Sequence, residues 1–215
     1  MLKLYSYWRS SASYRVRIAL DLKGLDYEIV PIHLLRDGGE QHSDAYRALN
    51  PQQRVPFLID GDVRLGQSLA ILDYLDARYP QPRLMPADAR ARVEVLAFAQ
   101  AIIADVQPLQ NTATLDYLRD VLKIDEAQRG EWLRHFIDRG LSALETETAA
   151  RPGTPFAFGE APTLADCALV PQMFAAQRFG CDMQRYPRLV RIAGHCNTLP
   201  AFQRAHPARQ PDAER

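Results

Sequence analysis

The sequence predicts an α+β, two-domain fold, with a small α/β domain followed by an all-α domain. Three observations carry this. Over the first eighty residues, short apolar runs alternate with helical patterns in the order β-α-β-α-β-β-α. The segment Pro80-Gln81-Pro82-Arg83-Leu84-Met85-Pro86 then sets prolines so densely that it reads as a linker. Beyond it strand patterns disappear and helical ones follow one another. The expected bounds are a first domain over 1–80, a linker over 81–86 and a second domain over 87–215.

The elements follow in order. Leu2 to Tyr7 reads as a short strand. Ser13 to Lys23 reads as a helix with Val16, Ile18, Ala19, Leu20 and Leu22 in a wide apolar stripe, stopped by Gly24. Tyr27 to Ile32 is a second strand, and the strand–helix–strand order predicts a parallel pair. His42 to Leu49 is a short helix ending before Asn50-Pro51. Phe57 to Ile59 and Val63 to Leu65 are strands joined by an Asp60-Gly61 hairpin turn. Gln67 to Tyr79 is a helix with Leu69, Leu72, Leu75 and Tyr79 on one face. This order is thioredoxin-like.

In the second domain, Ala87 to Val106 reads as a helix with Val93, Leu96, Ile103 and Val106 in register and Pro108 as its breaker. Asp125 to Thr148 follows, with Leu133, Ile137, Leu141 and Leu144 in register. Thr163 to Phe179 and Pro187 to Thr198 are further helices. Thr163-Leu164-Ala165-Asp166, after Pro162, reads as a capping box with Asp in the Glu/Gln slot.

Composition narrows the function. At 47% hydrophobic the chain can bury a core, which excludes a disordered class. Lys plus Arg and Asp plus Glu balance at 26 each, so neither nucleic acid nor an anionic membrane is the expected partner. Cys167, Cys181 and Cys196 are odd in number and have no Cys-x-x-Cys spacing. They suit a reducing cytoplasm and give neither a disulfide framework nor a metal site. The longest apolar stretch, Val95 to Val106, is broken by Gln100 and Asp105 and is too short to span a bilayer. Met1 to Ser6 lacks the apolar run of a signal peptide, so a cytoplasmic location is expected.

The chemistry concentrates at the first strand–helix junction, Arg9-Ser10-Ser11-Ala12-Ser13-Tyr14-Arg15. Unpaired N–H groups and the helix dipole favour an anion there, and serine hydroxyls can donate to it. The site therefore suits a thiolate, a carboxylate or a phosphate. Plain N-capping by serine is the competing reading. Ala12 excludes a cysteine nucleophile at that position, and none of His33, His42, His135, His195 or His206 stands in a triad context for a serine one. Gln67-Ser68 opens another helix and carries the same pair of readings. Val55-Pro56 reads, on base rate, as a trans proline opening a strand.

The run Ser10-Ser11-Ala12-Ser13-Tyr14-Arg15-Val16-Arg17-Ile18-Ala19-Leu20 resembles the zeta class of glutathione transferases. The resemblance returns at Asn50-Pro51-Gln52-Gln53-Arg54-Val55-Pro56, Gln67-Ser68-Leu69-Ala70-Ile71-Leu72 and Gln107-Pro108-Leu109-Gln110-Asn111. It continues at Thr163-Leu164-Ala165-Asp166, Leu169-Val170-Pro171-Gln172 and Ala205-His206-Pro207-Ala208-Arg209-Gln210-Pro211-Asp212. One departure is Ala12, where the family pattern has Cys.

The resemblance implies the glutathione transferase fold, a homodimer, and glutathione as cofactor. It implies a cis–trans isomerase of acidic keto acids, best known as maleylacetoacetate isomerase, with Ser10 and Ser11 as catalytic residues. Maleylpyruvate isomerisation and transfer to α-halo acids are alternatives, and a non-enzymatic binding protein is a third. Thr112-Ala113 after Asn111, where arginine is associated with maleylpyruvate, tilts toward maleylacetoacetate. By resemblance Ser10, Ser11, Ala12, Ser13 and Arg15 lie against glutathione. Val55 and a cis Pro56 meet its cysteinyl part, Gln67 and Ser68 its γ-glutamyl carboxylate, and Gln41 its glycyl end. Gln107 and Asn111 complete the set from the second domain. Arg15 and Arg17, inside the first helix, also read as structural. Arg9 and Arg178 are candidates for the substrate's carboxylates, since Arg binds these bidentately.

Overall fold

In the computed structural model, which describes residues 1–214, four strands form one mixed sheet in the order β2-β1-β3-β4. β1 (Leu2–Ser6) pairs in parallel with β2 (Tyr27–Pro31), from Leu2 opposite Tyr27 to Ser6 opposite Pro31. β3 (Phe57–Asp60) runs antiparallel to β1, with Tyr5 opposite Phe57. β4 (Val63–Gly66) closes a hairpin with Phe57 opposite Gly66. Gly61 takes a φ of 58° in the turn, a conformation glycine reaches without a Cβ clash.

Helix α1 (Ser11–Leu22) begins two residues earlier than its apolar pattern. It buries Val16, Ile18, Ala19 and Leu20 as expected, and also Arg15 and Arg17. α2 (Asp44–Leu49) is capped by Ser43. α3 (Ser68–Arg78) buries Ser68, Ile71, Leu72, Leu75 and Asp76, so Leu69 and Tyr79 lie beside the buried face instead of on it. Tyr79 instead braces the β3–β4 hairpin, where its hydroxyl donates to Asp60 at 2.8 Å. The Lys23 ammonium, also buried, is paired with Asp76 at 2.9 Å and donates to the carbonyls of Tyr79 and Pro82 at 2.8 Å each. Those two carbonyls satisfy the donors left over from the ion pair, which a buried charge requires.

The contacts divide the chain into two units. Residues 198–214 group with Met1–Leu84, although the proline linker and the helical pattern after it put them in the second domain. The cause is α9 (Pro200–Ala205), which buries Ala201, Phe202 and Ala205 and packs on α1.

The other unit, Met85–Asn197, is helical. α4 (Ala89–Gln100) continues as a π-helical turn, Ala101–Val106, and a 3₁₀ turn, Gln107–Gln110. Its buried face is Val95, Phe98, Ala99, Ile102 and Val106, while Val93 is exposed. The expected register through Val93 and Leu96 is therefore corrected: the inward face passes through Val95, Phe98, Ala99 and Ile102, with Phe and Ala carrying part of it. α5 (Thr112–Asp120) was not anticipated. α6 (Glu126–Ala149) buries Leu133, Ile137, Leu141 and Leu144, the stripe its period predicts. α7 (Leu164–Arg178) starts on Asp166, whose carboxylate accepts from the N–H groups of Ala157 and Thr163 at 2.8 Å each and from the Thr163 hydroxyl at 3.0 Å. α8 is Pro187–Cys196. Among the described residues no helix is long and apolar enough to cross a membrane.

Candidate active site

The strand register brings four chain segments to one end of the sheet. β1 and β2 run parallel and both finish there, at Ser6 and Pro31. β3 is antiparallel and starts there, at Phe57; β4 returns there, at Gly66. The loop into α1, the Val55-Pro56 step, the start of α3 and the loop after β2 are thus neighbours by topology. Sites of α/β sheets form at such ends because the loops converge while the strands hold them rigid.

At the α1 start the two serines differ. Ser10 is the N-cap: its hydroxyl oxygen accepts from the Ser13 N–H at 3.2 Å, and its carbonyl accepts from the Tyr14 N–H at 2.8 Å. The Ser10 hydroxyl proton remains free to donate outward. Ser11 is the first helical residue, half-buried, and its hydroxyl bonds to no other described residue. First-turn N–H groups without intrahelical partners face the same side. Ala12 is half-buried and Ser13 fully buried. Tyr7, three residues before Ser10, is a buried phenol whose pKa burial pushes up, so it stays neutral.

The Val55-Pro56 bond is cis, as the resemblance implied and base rate did not. Among the described residues Val55 pairs with no strand, leaving the edge of its peptide open just ahead of β3. The turn is fixed from behind. The Tyr46 hydroxyl and the Asn50 amide both donate to the Arg54 carbonyl, at 2.7 and 2.8 Å. Burial raises the Tyr46 phenol to about 12, so its donor proton is secure. An open peptide edge of this kind accepts an extended peptide as an added strand.

At the α3 start, Gln67 holds a φ of 65° and its amide donates to Gln52 at 2.8 Å. Ser68 is buried and its hydroxyl accepts from the Arg15 guanidinium at 3.1 Å. Arg15 thus ties the α1 and α3 starts together and places a buried cation beside α3's free N–H groups. A cation and free N–H groups in this arrangement suit a carboxylate.

Gln41 lies in the loop after β2, buried against Gly39, where a Cβ would stand 2.4 Å from its amide. Its Nε2 donates to the Leu34 carbonyl at 3.3 Å, and its Oε1 is buried without a partner. An orphaned carbonyl oxygen suits an incoming N–H more than a carboxylate. Arg9 is half-buried beside Ser10, with its guanidinium 5.3 Å from the Trp8 ring centroid.

The remaining expected residues belong to the helical unit. Gln107 opens the 3₁₀ turn after the π-helical segment. Asn111 caps α5, accepting from the Thr114 N–H at 2.9 Å. Arg178 ends α7, exposed, with its guanidinium 4.3 Å from the Phe179 ring centroid.

Behind the site lie Arg17, which the sequence reading took as structural without its partners, and Asp212, to which it gave no role. Arg17, fully buried, donates to the Ser6 hydroxyl at 3.0 Å, the Trp8 carbonyl at 2.9 Å and the Ala205 carbonyl at 3.1 Å. Burial lowers its pKa to about 10, which leaves it charged at neutral pH. Asp212 accepts from the Trp8 N–H at 2.9 Å. The available signals were an arginine inside an apolar stripe and an ordered tail motif ending at Asp212.

Residues 4–83 match the family model described as glutathione S-transferase, N-terminal domain. The chain is 48% identical over 212 residues to a probable maleylacetoacetate isomerase of Vibrio cholerae, covering 99% of this chain and 98% of the relative. A maleylpyruvate isomerase solved in its holo form, a bacterial zeta-class glutathione S-transferase, superposes with a TM-score of 0.96 at 45% identity, covering 99% of this chain and 100% of that one. The maleylacetoacetate isomerase of Anaeromyxobacter dehalogenans, solved with glutathione in its active site, superposes with a TM-score of 0.89 at 48% identity, covering 100% of this chain and 98% of that one. With likeness of this extent along its whole length, the chain belongs to the zeta-class glutathione transferase family of the maleylacetoacetate isomerases.

Proposed function

We propose that the chain is a glutathione-dependent cis–trans isomerase that converts maleylacetoacetate to fumarylacetoacetate in tyrosine and phenylalanine breakdown. The observation that carries this is the convergence, at one sheet end, of a serine-lined helix start, an open peptide edge and a second helix start backed by a buried arginine. These three features match the thiol, the peptide middle and the γ-glutamyl carboxylate of glutathione in order. Bound glutathione would supply its thiol for reversible addition to the cis double bond, which becomes a single bond free to rotate before loss of the thiol restores it as trans.

The chain's own residues do the rest. Ser10 and Ser11, with the α1 N–H groups, favour the thiol's ionised form. A free thiol is only a few per cent ionised at pH 7, and lowering its pKa by about two units corresponds to roughly 2.7 kcal/mol. Val55 aligns the peptide, and Ser68, Gln67 and Arg15 hold the γ-glutamyl carboxylate. Gln41 Oε1 takes an N–H from the glycyl end. Arg9 meets a carboxylate of the substrate. Gln107, Asn111 and Arg178 are assigned to the ligands on family resemblance, as are a homodimeric state and a cytoplasmic location. Holding both reactants in place supplies proximity as well as electrostatics.

Maleylacetoacetate incubated with the protein should isomerise only when glutathione is added; full activity without it overturns the reading. A second reading, maleylpyruvate as the true substrate, is favoured by the 0.96 TM-score of a maleylpyruvate isomerase. Rates on the two substrates side by side separate them.

A further inference from the structure

The segment that leads into the serine pair is tied down by the far end of the chain. β1 leaves the sheet at Ser6, and the chain then runs Tyr7-Trp8-Arg9 before the Ser10 cap. The peptide groups of Tyr7 and Trp8 are held from several sides. The Tyr7 carbonyl accepts from the Ser10 N–H at 3.0 Å and from Arg17 at 3.4 Å. The Trp8 carbonyl accepts from Arg17 at 2.9 Å. The Trp8 N–H donates to Asp212 Oδ2 at 2.9 Å, across 204 positions of sequence.

The tail that delivers Asp212 is itself fixed. Arg17 donates to the Ala205 carbonyl at 3.1 Å. Gln210, buried, donates to the Arg204 and His206 carbonyls at 2.9 and 3.0 Å. Two residues past Asp212, Glu214 accepts from His33 Nε2 at 2.8 Å. The tautomer follows from the other side of that ring, because His33 Nδ1 accepts from the Arg36 N–H at 2.8 Å. The Asp212 carboxylate thus holds Trp8 with one oxygen, while Oδ1 is buried without a partner. A buried carboxylate oxygen left unpaired is costly, and the tail holds it there nonetheless.

We propose that Asp212 is a positioning residue for the thiolate site. It fixes the Trp8 peptide from outside while Arg17 fixes it from inside, and together they set where Ser10 and Ser11 stand. The inference rests on reading the serine pair as the thiolate site. Asp212 touches neither serine; it acts through the backbone at Trp8.

The proposal turns on the acceptor, because the donor is a neutral peptide N–H. Asp212→Asn keeps an oxygen at that place and Asp212→Ala removes it. Two readouts apply: amide hydrogen exchange over Trp8 to Ser11 in the protein without ligand, and the pH profile of kcat/KM with glutathione. In Asp212→Ala, exchange over Trp8 to Ser11 should rise about tenfold, with Val16 to Leu20 unchanged. The acidic limb of kcat/KM should move to higher pH, and its plateau should fall about tenfold. Asp212→Asn should match wild type within about twofold in both. If Asp212→Ala does not fold, Asp212→Ser serves in its place with the same expected result, its oxygen being too short to reach Trp8. Unchanged exchange in the Ala variant overturns the proposal. So does an unmoved acidic limb, or an Asn variant as impaired as the Ala one. A wild type that needs no glutathione would instead overturn the isomerase reading, and the exchange result would stand apart from it.

Discussion

Ser10 and Ser11 are adjacent, yet the backbone separates their roles. Ser10 Oγ already accepts the Ser13 N–H, while Ser11 Oγ bonds to no other described residue. Ser10→Ala should therefore lose about 1 kcal/mol of stability as a helix cap, together with activity. Ser11→Ala should leave stability unchanged. Its kcat/KM should fall about tenfold to a hundredfold, as for loss of a hydrogen bond to a charged group. Urea unfolding and steady-state kinetics on both variants measure the two effects. Equal stability loss in both would contradict the division of roles. The serine pair was legible from sequence because a helix start is a local feature. Arg17 read as structural, but its partners were not legible: they are Ser6, Trp8 and Ala205, and only the fold assembles them. The orphaned Gln41 carbonyl was equally illegible, since its burial depends on how the loop closes over Gly39.

At the scale of elements, a long single stripe was readable and divided or short ones were not. α6 keeps one stripe over its whole length, so Leu133 to Leu144 could be placed from spacing alone. α4 offers apolar residues on more than one face, Val93 and Leu96 as well as Val95, Phe98 and Ala99, so spacing alone did not single out the buried stripe. α9 is too short to show a period, although its packing on α1 reassigns the tail. That packing carries a titration. Asp21 sits near the C-terminal end of α1, where the helix dipole disfavours a carboxylate, and pairs with Arg204 of α9 at 3.6 Å. Burial raises its pKa to about 6, with Arg204 opposing the shift. Between about pH 4 and pH 6 the folded state then holds more protons than the unfolded one, so this contribution to stability falls as pH rises through that window. Asp21→Asn removes the titration, and its stability relative to wild type should rise from pH 4 to pH 7. Urea midpoints at both pH values give the sign; a relative loss on raising the pH would refute it.

For the whole molecule, the glutathione reading has a thermodynamic consequence that needs no assay of turnover. Ligand that binds only the folded state stabilises it by about 2.7 kcal/mol at a hundred times Kd. Thermal unfolding should therefore shift upward with glutathione. The shift should shrink in Ser68→Ala, which removes the hydroxyl facing Arg15 at the α3 start. An unchanged Tm in wild type at saturating glutathione would count against the site.

The tail docked on the first unit has a consequence for how the protein is made. As a ribosome extends the chain, the α/β unit is synthesised first and would ordinarily finish folding first. Here it cannot, because residues 198–214 belong to it. Until they emerge, Arg17 lacks the Ala205 carbonyl and the Trp8 peptide lacks Asp212. The nascent unit must wait, incompletely sealed beside the serine pair, while the whole helical unit is translated.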